Sequence, residues 1–381
     1  MPLPTNLKSH GDIRAIVVDD SPTARELLVA VLQVAEGIRV IGVGASGADA
    51  VRLTRRMRPD VLLMDINMPQ MDGLEATRQI MADLPTPIVL ITGTLMRSDL
   101  DLSFEAIRAG ALTVLSKPGL DDPESCEQIV QSVRTMAGVP LVRRWTPKPA
   151  TPEKNPLAGI APTAGAQPRR ALSNLPLLPE ESRRAFRVVA IASSTGGPAA
   201  LATILRALPS DFPVPILIVQ HVTQGFASGL AEWLDSETKL RVQLAAHGAE
   251  LRPGAALIAP DGYHLQVNFR GVVELSKEEP YRGLRPSANY LFHSLARVFG
   301  ARAMGIILTG MGDDGAEGML ALHRSGGFTI AQDEQSCVIF SMPREAIIRD
   351  AVDVTLAPDE IAHLLGHWSD PSTVAANRIS V

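Results

Sequence analysis

Between Ile13 and about Ala137 the chain repeats one pattern five times: a short, unbroken apolar run followed by an amphipathic stretch. The runs are Ile13–Val18, Val40–Val43, Val61–Met64, Ile88–Ile91 and Leu112–Leu115, all rich in Val, Ile and Leu. Strands covered on both faces look like this, and a parallel sheet flanked by helices supplies that environment. The stretches between read as the helices. In Thr23–Val34, for example, Pro22 suits the first turn and Ser21 suits an N-cap. The rhythm predicts a doubly wound, flavodoxin-like α/β domain with a five-stranded parallel sheet over residues 12–137.

A chain of 381 residues exceeds one ordinary core, and its texture changes twice. Residues 138–185 are dense in Pro, Ala, Arg and Lys without periodicity and read as a linker. A second α/β domain is expected over 186–368, with buried strands at Arg187–Ala192, Ile216–Val219 and Met304–Leu308 and a short tail over 369–381. Between Val242 and Leu275 the apolar residues alternate and are broken by Gly and Pro. That predicts an edge hairpin region on a mostly parallel sheet.

Composition excludes several classes. A formal net charge of −5 argues against a nucleic-acid surface. No apolar run reaches about 18 residues, so no membrane insertion is expected, and the first residues lack the apolar core of a signal peptide. The two cysteines, Cys126 and Cys337, fall in different domains and give no disulfide framework, which fits a reducing cytoplasm.

Polar residues gather where the strands of the first domain end. Asp19-Asp20 follow the first strand, Asp65 ends the third, Thr92 ends the fourth, and Lys117 follows the fifth. Singly these are helix caps and turns. Jointly they place three carboxylates in one crevice, where mutual repulsion calls for a divalent cation, and hard oxygen ligands suit Mg2+. An Asp there can act as a nucleophile toward a phosphoryl group, with Lys and hydroxyl stabilising its oxygens. The region resembles the response-regulator receiver family over essentially its whole length. The resemblance implies Asp65 as phosphoacceptor, Asp20 and Asp65 as Mg2+ ligands with Asp19 supporting, a backbone carbonyl from Asn67, and Thr92 and Lys117 as phosphoryl-stabilising groups. Val114 stands where many receivers carry an aromatic switch residue.

In the second domain, VVAIA runs into Ser193-Ser194-Thr195-Gly196-Gly197-Pro198 and then a helical stretch, placing a hydroxyl beside a helix N-terminus. The turn is neither a P-loop nor G-x-S-x-G nor G-x-G-x-x-G. His221 closes the run VPILIV, and LTGMGDDGAEGM follows the strand GIIL with its own carboxylates. A hydroxyl, an imidazole and a carboxylate thus leave three strands at one edge, which are the roles of a Ser/His/Asp arrangement. With STGGP, QHVTQGF, RPS at Arg285–Ser287, LTGMGDDGAEGM and AQDEQSCVIFSMP together, the region from Arg187 to Val354 resembles the CheB-type protein-glutamate methylesterases. The resemblance implies Ser194 as nucleophile, His221 as general base and acid, and Asp314 as orienting carboxylate. Thr195 would help position the imidazole, and the Met311 backbone would serve the oxyanion hole. Ser193 competes for the first role and Asp313 for the third; Ser194 directly precedes Thr-Gly-Gly and Asp314 directly precedes Gly315. Thr223, Asn289 and Ser341 depart from the family's usual residues.

The implied protein is a phosphorylation-activated hydrolase. It would demethylate glutamate γ-methyl esters, and deamidate glutamines, on chemoreceptors, with a histidine kinase as phosphodonor and no cofactor for the esterase step. The rivals are a receiver-gated scaffold or phosphate sink with a vestigial site, and the same enzyme serving a non-motility array. A DNA-binding output would need a compact basic helical module, which the second domain is not.

Overall fold

The computed structural model describes residues 12–93, 97–119, 122–139 and 186–369. The expected linker beyond residue 139 and the tail after residue 369 lie outside them.

The first unit is the expected five-fold β/α repeat: β1 (Ile13–Val18), α1 (Pro22–Gln33), β2 (Ile38–Gly44), α2 (Gly47–Met57), β3 (Val61–Asp65), α3 (Gly73–Asp83), β4 (Ile88–Thr92), α4 (Arg97–Ala109), β5 (Thr113–Ser116) and α5 (Pro123–Met136). Its sheet runs β2-β1-β3-β4-β5 with parallel pairings throughout. Central strands β3 and β4 are buried along their whole length, as continuous apolar runs require. Ser21 does cap α1, its hydroxyl accepting from the Ala24 N–H, and Pro22 opens the first turn.

The second unit continues with β6 (Val188–Ser193), α6 (Gly197–Arg206), β7 (Ile216–Gln220), α7 (Ala227–Glu237), β8 (Arg241–Leu244), β9 (Ala255–Ile258), β10 (His264–Val267), β11 (Val273–Ser276), α8 (Ala288–Val298), β12 (Ala303–Ile307), α9 (Ala316–Arg324), β13 (Phe328–Gln332), α10 (Ser341–Ile348), β14 (Val354–Leu356) and α11 (Pro358–Ser369). Seven strands form one sheet in the order β14-β13-β12-β6-β7-β9-β8, every pairing parallel. The chain starts at β6, passes to β7, skips to the edge at β8, comes back to β9 between them, then returns to β12 on the other side of β6. The reversal puts a crevice at the carboxyl ends of β6 and β12, where open α/β sheets bind ligands.

The 242–275 region differs in detail from its sequence reading. It contains one hairpin, β10–β11, and this forms a separate two-stranded sheet packed on α8 rather than an edge of the main sheet. The alternation around Val242 has another cause: β8 is an edge strand, with Arg241 and Gln243 exposed and Val242 buried.

The two units touch. Helix α4 packs on α6 and α7, and the buried rings of Phe104 and Trp233 stack with centroids 5.4 Å apart. Such a pair contributes about 1 kcal/mol beyond its buried area. The Thr223 hydroxyl donates to the Val114 carbonyl at 3.4 Å, and the Thr135 hydroxyl to Met311 Sδ at 3.4 Å. Val338 and Ile339 pack against the apolar cluster formed by β1, α1, β3 and α5. The β5–α5 side of the first unit therefore lies against the loops that end β7, β12 and β13.

Candidate functional site

In the first unit, parallel pairing aligns the ends of β1, β3, β4 and β5, so residues that follow consecutive runs in the sequence become neighbours. The carboxylate oxygens of Asp19, Asp20 and Asp65 lie within 4.8 Å of one another. Asp19 and Asp65 are buried, and Asp20 is exposed at the mouth. Lys117 Nζ stands between the two buried groups, 2.8 Å from Asp19 Oδ2 and 2.9 Å from Asp65 Oδ2. Thr92 lines the same rim, buried at the end of β4. The exposed Asn67 sends its backbone N–H to the Asp65 carboxylate. Three carboxylates with one face open are an all-oxygen donor set, and that chemistry fits a hard divalent cation.

Burial pushes the Asp65 carboxyl above its ordinary range, and the charge of Asp19 adds to this; Lys117 opposes without overcoming it. For Lys117 burial works toward a lower value, but hydrogen bonds to Asp19 and Asp65 prevail and raise it. The amine stays charged beside the carboxylates.

In the second unit, the last rung between β6 and β7 pairs Ser193 with Gln220, so Ser194 and His221 leave neighbouring strands side by side. The His221 N–H donates to the Ser193 carbonyl at 2.9 Å. On the other flank, the Ser194 N–H donates to the Thr309 carbonyl at 3.0 Å, bringing the loop after β12 against the same turn. That approach demands Gly310, since a Cβ there would lie 2.7 Å from Ser194 Cβ. Gly196, at φ +79°, turns the chain into α6.

The two serines are treated differently. Ser193 is fully buried and its hydroxyl donates to Gln220 Oε1 at 2.6 Å. Ser194 is half-buried, at the surface of the crevice. The two aspartates separate as well. Asp313 pairs with Arg282 and Arg349 at the surface. Asp314 is buried and its Oδ2 lies 2.9 Å from His221 Nε2. Committing Nε2 to the carboxylate leaves Nδ1 as the ring nitrogen for a hydroxyl. Among the described residues no hydrogen bond joins Ser194 Oγ to His221, and none joins the Thr195 hydroxyl to it. Thr195 instead offers its carbonyl, which accepts from the Thr309 hydroxyl at 2.9 Å. Met311 is exposed beside this turn.

Asp314 is also docked on the N-terminus of α8. The Ala288 N–H donates to Oδ2 at 2.6 Å, the Ser287 hydroxyl to Oδ1 at 2.6 Å, and the Asn289 N–H to Oδ1 at 3.3 Å. Burial would lift this carboxyl, but the hydrogen bonds from His221, Ser287 and Ala288 outweigh it and hold the group below the ordinary carboxylate range. A helix N-terminus favours negative charge for the same reason. Asp314 therefore keeps its charge and its orientation.

Two contributors were not assigned from the sequence. Gln220 acts as a clasp, its Nε2 donating to the carbonyls of Ser194 (2.8 Å) and His221 (2.9 Å) while Oε1 accepts from Ser193. A Gln directly before the histidine at a strand end was the available signal. Ser287 was visible only as the last residue of RPS.

A receiver-type acidic crevice in front, and behind it a second α/β domain with hydroxyl, imidazole and carboxylate at one rim, make this a two-domain response regulator with an enzymatic output domain. Family models agree: residues 15–131 match the response regulator receiver domain and residues 189–365 the CheB methylesterase. The chain is 42% identical over 356 residues to protein-glutamate methylesterase/protein-glutamine glutaminase 1 of Syntrophus aciditrophicus, covering 93% of this chain and 97% of that one. It is 43% identical over 360 residues to protein-glutamate methylesterase/protein-glutamine glutaminase 4 of Myxococcus xanthus, at 93% and 97% coverage. Among solved structures, the Thermotoga maritima CheB methylesterase catalytic domain is 37% identical, with a TM-score of 0.46, covering 47% of this chain and 97% of that domain. The chain belongs to the CheB methylesterase family.

Proposed function

We propose that this protein is a phosphorylation-activated protein-glutamate methylesterase and protein-glutamine glutaminase, acting on chemoreceptors in sensory adaptation. The observation that carries the reading is the His221–Asp314 contact at the rim where Ser194 is presented beside a helix N-terminus. Ser194 Oγ attacks the γ-carbonyl of a methylated glutamate while His221 Nδ1 takes the hydroxyl proton. The imidazolium then protonates departing methanol, and water, deprotonated by the same imidazole, releases the carboxylate. A glutamine side chain follows the same course and releases ammonia. Asp314 stabilises the imidazolium, and the backbone at Met311 together with Thr195 shapes the pocket for the oxyanion. The hydroxyl-to-imidazole bond closes when substrate excludes water, as apo sites often require.

In the receiver, Asp65 accepts phosphate from a histidine kinase of the chemosensory array. Asp19, Asp20, Asp65 and the Asn67 carbonyl are the groups that would hold Mg2+, which when bound offsets the charge of the phosphoryl oxygens. Thr92 and Lys117 contact those oxygens. The division of labour we assign is receiver 12–137, linker 138–185, esterase 186–368 and tail 369–381. The place of action assigned with this function is the cytoplasm, where the kinase and the receptor's signalling helices would meet the enzyme.

The contacts Thr223–Val114 and Met311–Thr135 support regulation by cover, since both lie on loops of the esterase rim. Phosphorylation adds roughly 1.5 to 2 negative charges, and an activation of about 10- to 100-fold needs only about 1.4–2.7 kcal/mol of differential stabilisation. Methanol release from methylated receptor, with and without a small phosphodonor and Mg2+, tests both halves. Ser194→Ala is expected to lower kcat by 10³-fold or more, on the order of a lost nucleophile. Undiminished turnover in that variant refutes the esterase assignment.

A further inference from the structure

His221 occupies one oxygen of Asp314, and the other is held by a side chain to which the mechanism above gives no task. We propose that Ser287 is a positioning residue of the esterase: its hydroxyl, set in place by His264, fixes the Asp314 carboxylate against which the His221 imidazole is oriented. The proposal rests on the roles given above to Ser194, His221 and Asp314.

Ser287 is fully buried, and both capacities of its hydroxyl are used. It donates to Asp314 Oδ1 at 2.6 Å and accepts from the Asn289 N–H at 3.3 Å. The donated bond has the length of a charge-assisted O–H···O⁻ contact. The hydroxyl proton is therefore committed to the carboxylate. A helix cap requires only the accepted bond; donation to Asp314 is additional.

The backbone of Ser287 is fixed in turn by His264. The Ser287 N–H donates to His264 Nδ1 at 3.2 Å, and His264 Nε2 faces the Glu279 carbonyl at 3.1 Å. An acceptor at Nδ1 and a donor at Nε2 together specify one neutral tautomer. The ring is fully buried and stacked on Tyr290, with centroids 3.7 Å apart. Burial lowers its proton affinity and Arg285 acts in the same sense, against the Glu279 carbonyl, Glu278 and Asp314. His264 stays uncharged, and its Nδ1 remains available to Ser287.

The test uses the full-length protein and methanol release from a peptide bearing a glutamate γ-methyl ester, followed across pH after thermal melts establish that each variant is folded. Ser287→Ala is expected to lower kcat on the order of 10-fold, the loss of one hydrogen bond to a charged group, with KM little changed. The acid limb of its pH profile moves to higher pH, because a carboxylate relieved of one donor holds the imidazole's proton more strongly. Ser287→Thr keeps the hydroxyl and is expected to restore rate and profile. His264→Phe is expected to displace the limb in the same direction and to add nothing in the Ser287→Ala background. If Ser287→Ala does not fold, Ser287→Cys, which keeps a weak donor at similar volume, is read in the same way. A wild-type kcat with an unmoved profile in the Ala or Cys variant overturns the proposal, and additive losses remove His264 from it. Ser194→Ala is assayed alongside. If it still releases methanol the underlying reading fails; if it is silent while Ser287→Ala behaves as wild type, only the positioning role fails.

Discussion

The two crevices of this chain pose one problem and answer it differently. Each sits at the carboxyl edge of a parallel sheet and each buries an aspartate beside a cationic or basic partner. Asp65 meets Lys117, one backbone N–H and the like charge of Asp19; burial prevails and its carboxyl rises. Asp314 meets His221, Ser287 and the N-terminus of α8; the donors prevail and its carboxyl falls. The lesson is that burial alone does not set the character of an acid. The number and direction of donors does. Asp65, proposed to accept a phosphoryl group, is buried with few donors, whereas Asp314, proposed to orient the imidazole, is saturated and locked.

Substitutions at the two aspartates can break this contrast. The largest effect is expected from Asp314→Asn, which keeps the shape but removes the charge facing the imidazole. A fall in kcat of about 10³–10⁴-fold follows from loss of the correct tautomer and of imidazolium stabilisation, read as methanol release; a fall of less than tenfold would remove Asp314 from its role. Asp65→Asn is expected to leave the basal rate intact and to abolish the roughly 10- to 100-fold increment produced by phosphodonor and Mg2+. If the increment survives, phosphorylation acts elsewhere.

The smallest effects concern stability. The folded carboxyl of Asp314 lies below its unfolded value, so its contribution is present above the unfolded value, about 3.9, and is lost as pH falls through the folded one. Asp65 has the opposite sign: its charge costs stability at neutral pH, and the cost disappears as pH falls through the raised folded value. Urea unfolding at pH 7 should find Asp314→Asn less stable by about 2 kcal/mol, the size of a charge-assisted bond, and Asp65→Asn more stable than wild type. The Asp65→Asn gain should shrink as pH falls toward 4, whereas the Asp314→Asn loss should persist there and shrink only at lower pH. Shifts of the same sign at pH 7 would show that the two environments are not opposed.

Much of this was legible in the sequence because parallel strands announce themselves. A continuous apolar run ends at the rim, so the residue after each run is a site candidate: Asp19, Asp65, Thr92 and Lys117 in one sheet, Ser194 and His221 in the other. What escaped detection lies between elements. Ser287 meets Asp314 across 27 positions through the start of a helix, and no periodicity encodes that meeting. The 242–275 region alternates because an edge strand has one open face, a pattern also produced by hairpins. The Phe104–Trp233 stack was hidden for a similar reason: an amphipathic helix declares an apolar stripe but not the surface it covers.

The amide of Gln220 welds the tip of β6 to the tip of β7. The hydroxyl-bearing bend and the imidazole-bearing bend are thereby parts of one rigid body, and neither can wander without dragging the other. Warming this domain should consequently extinguish esterase turnover together with the fold, with no plateau in which a heat-labile rim has slackened around an intact sheet.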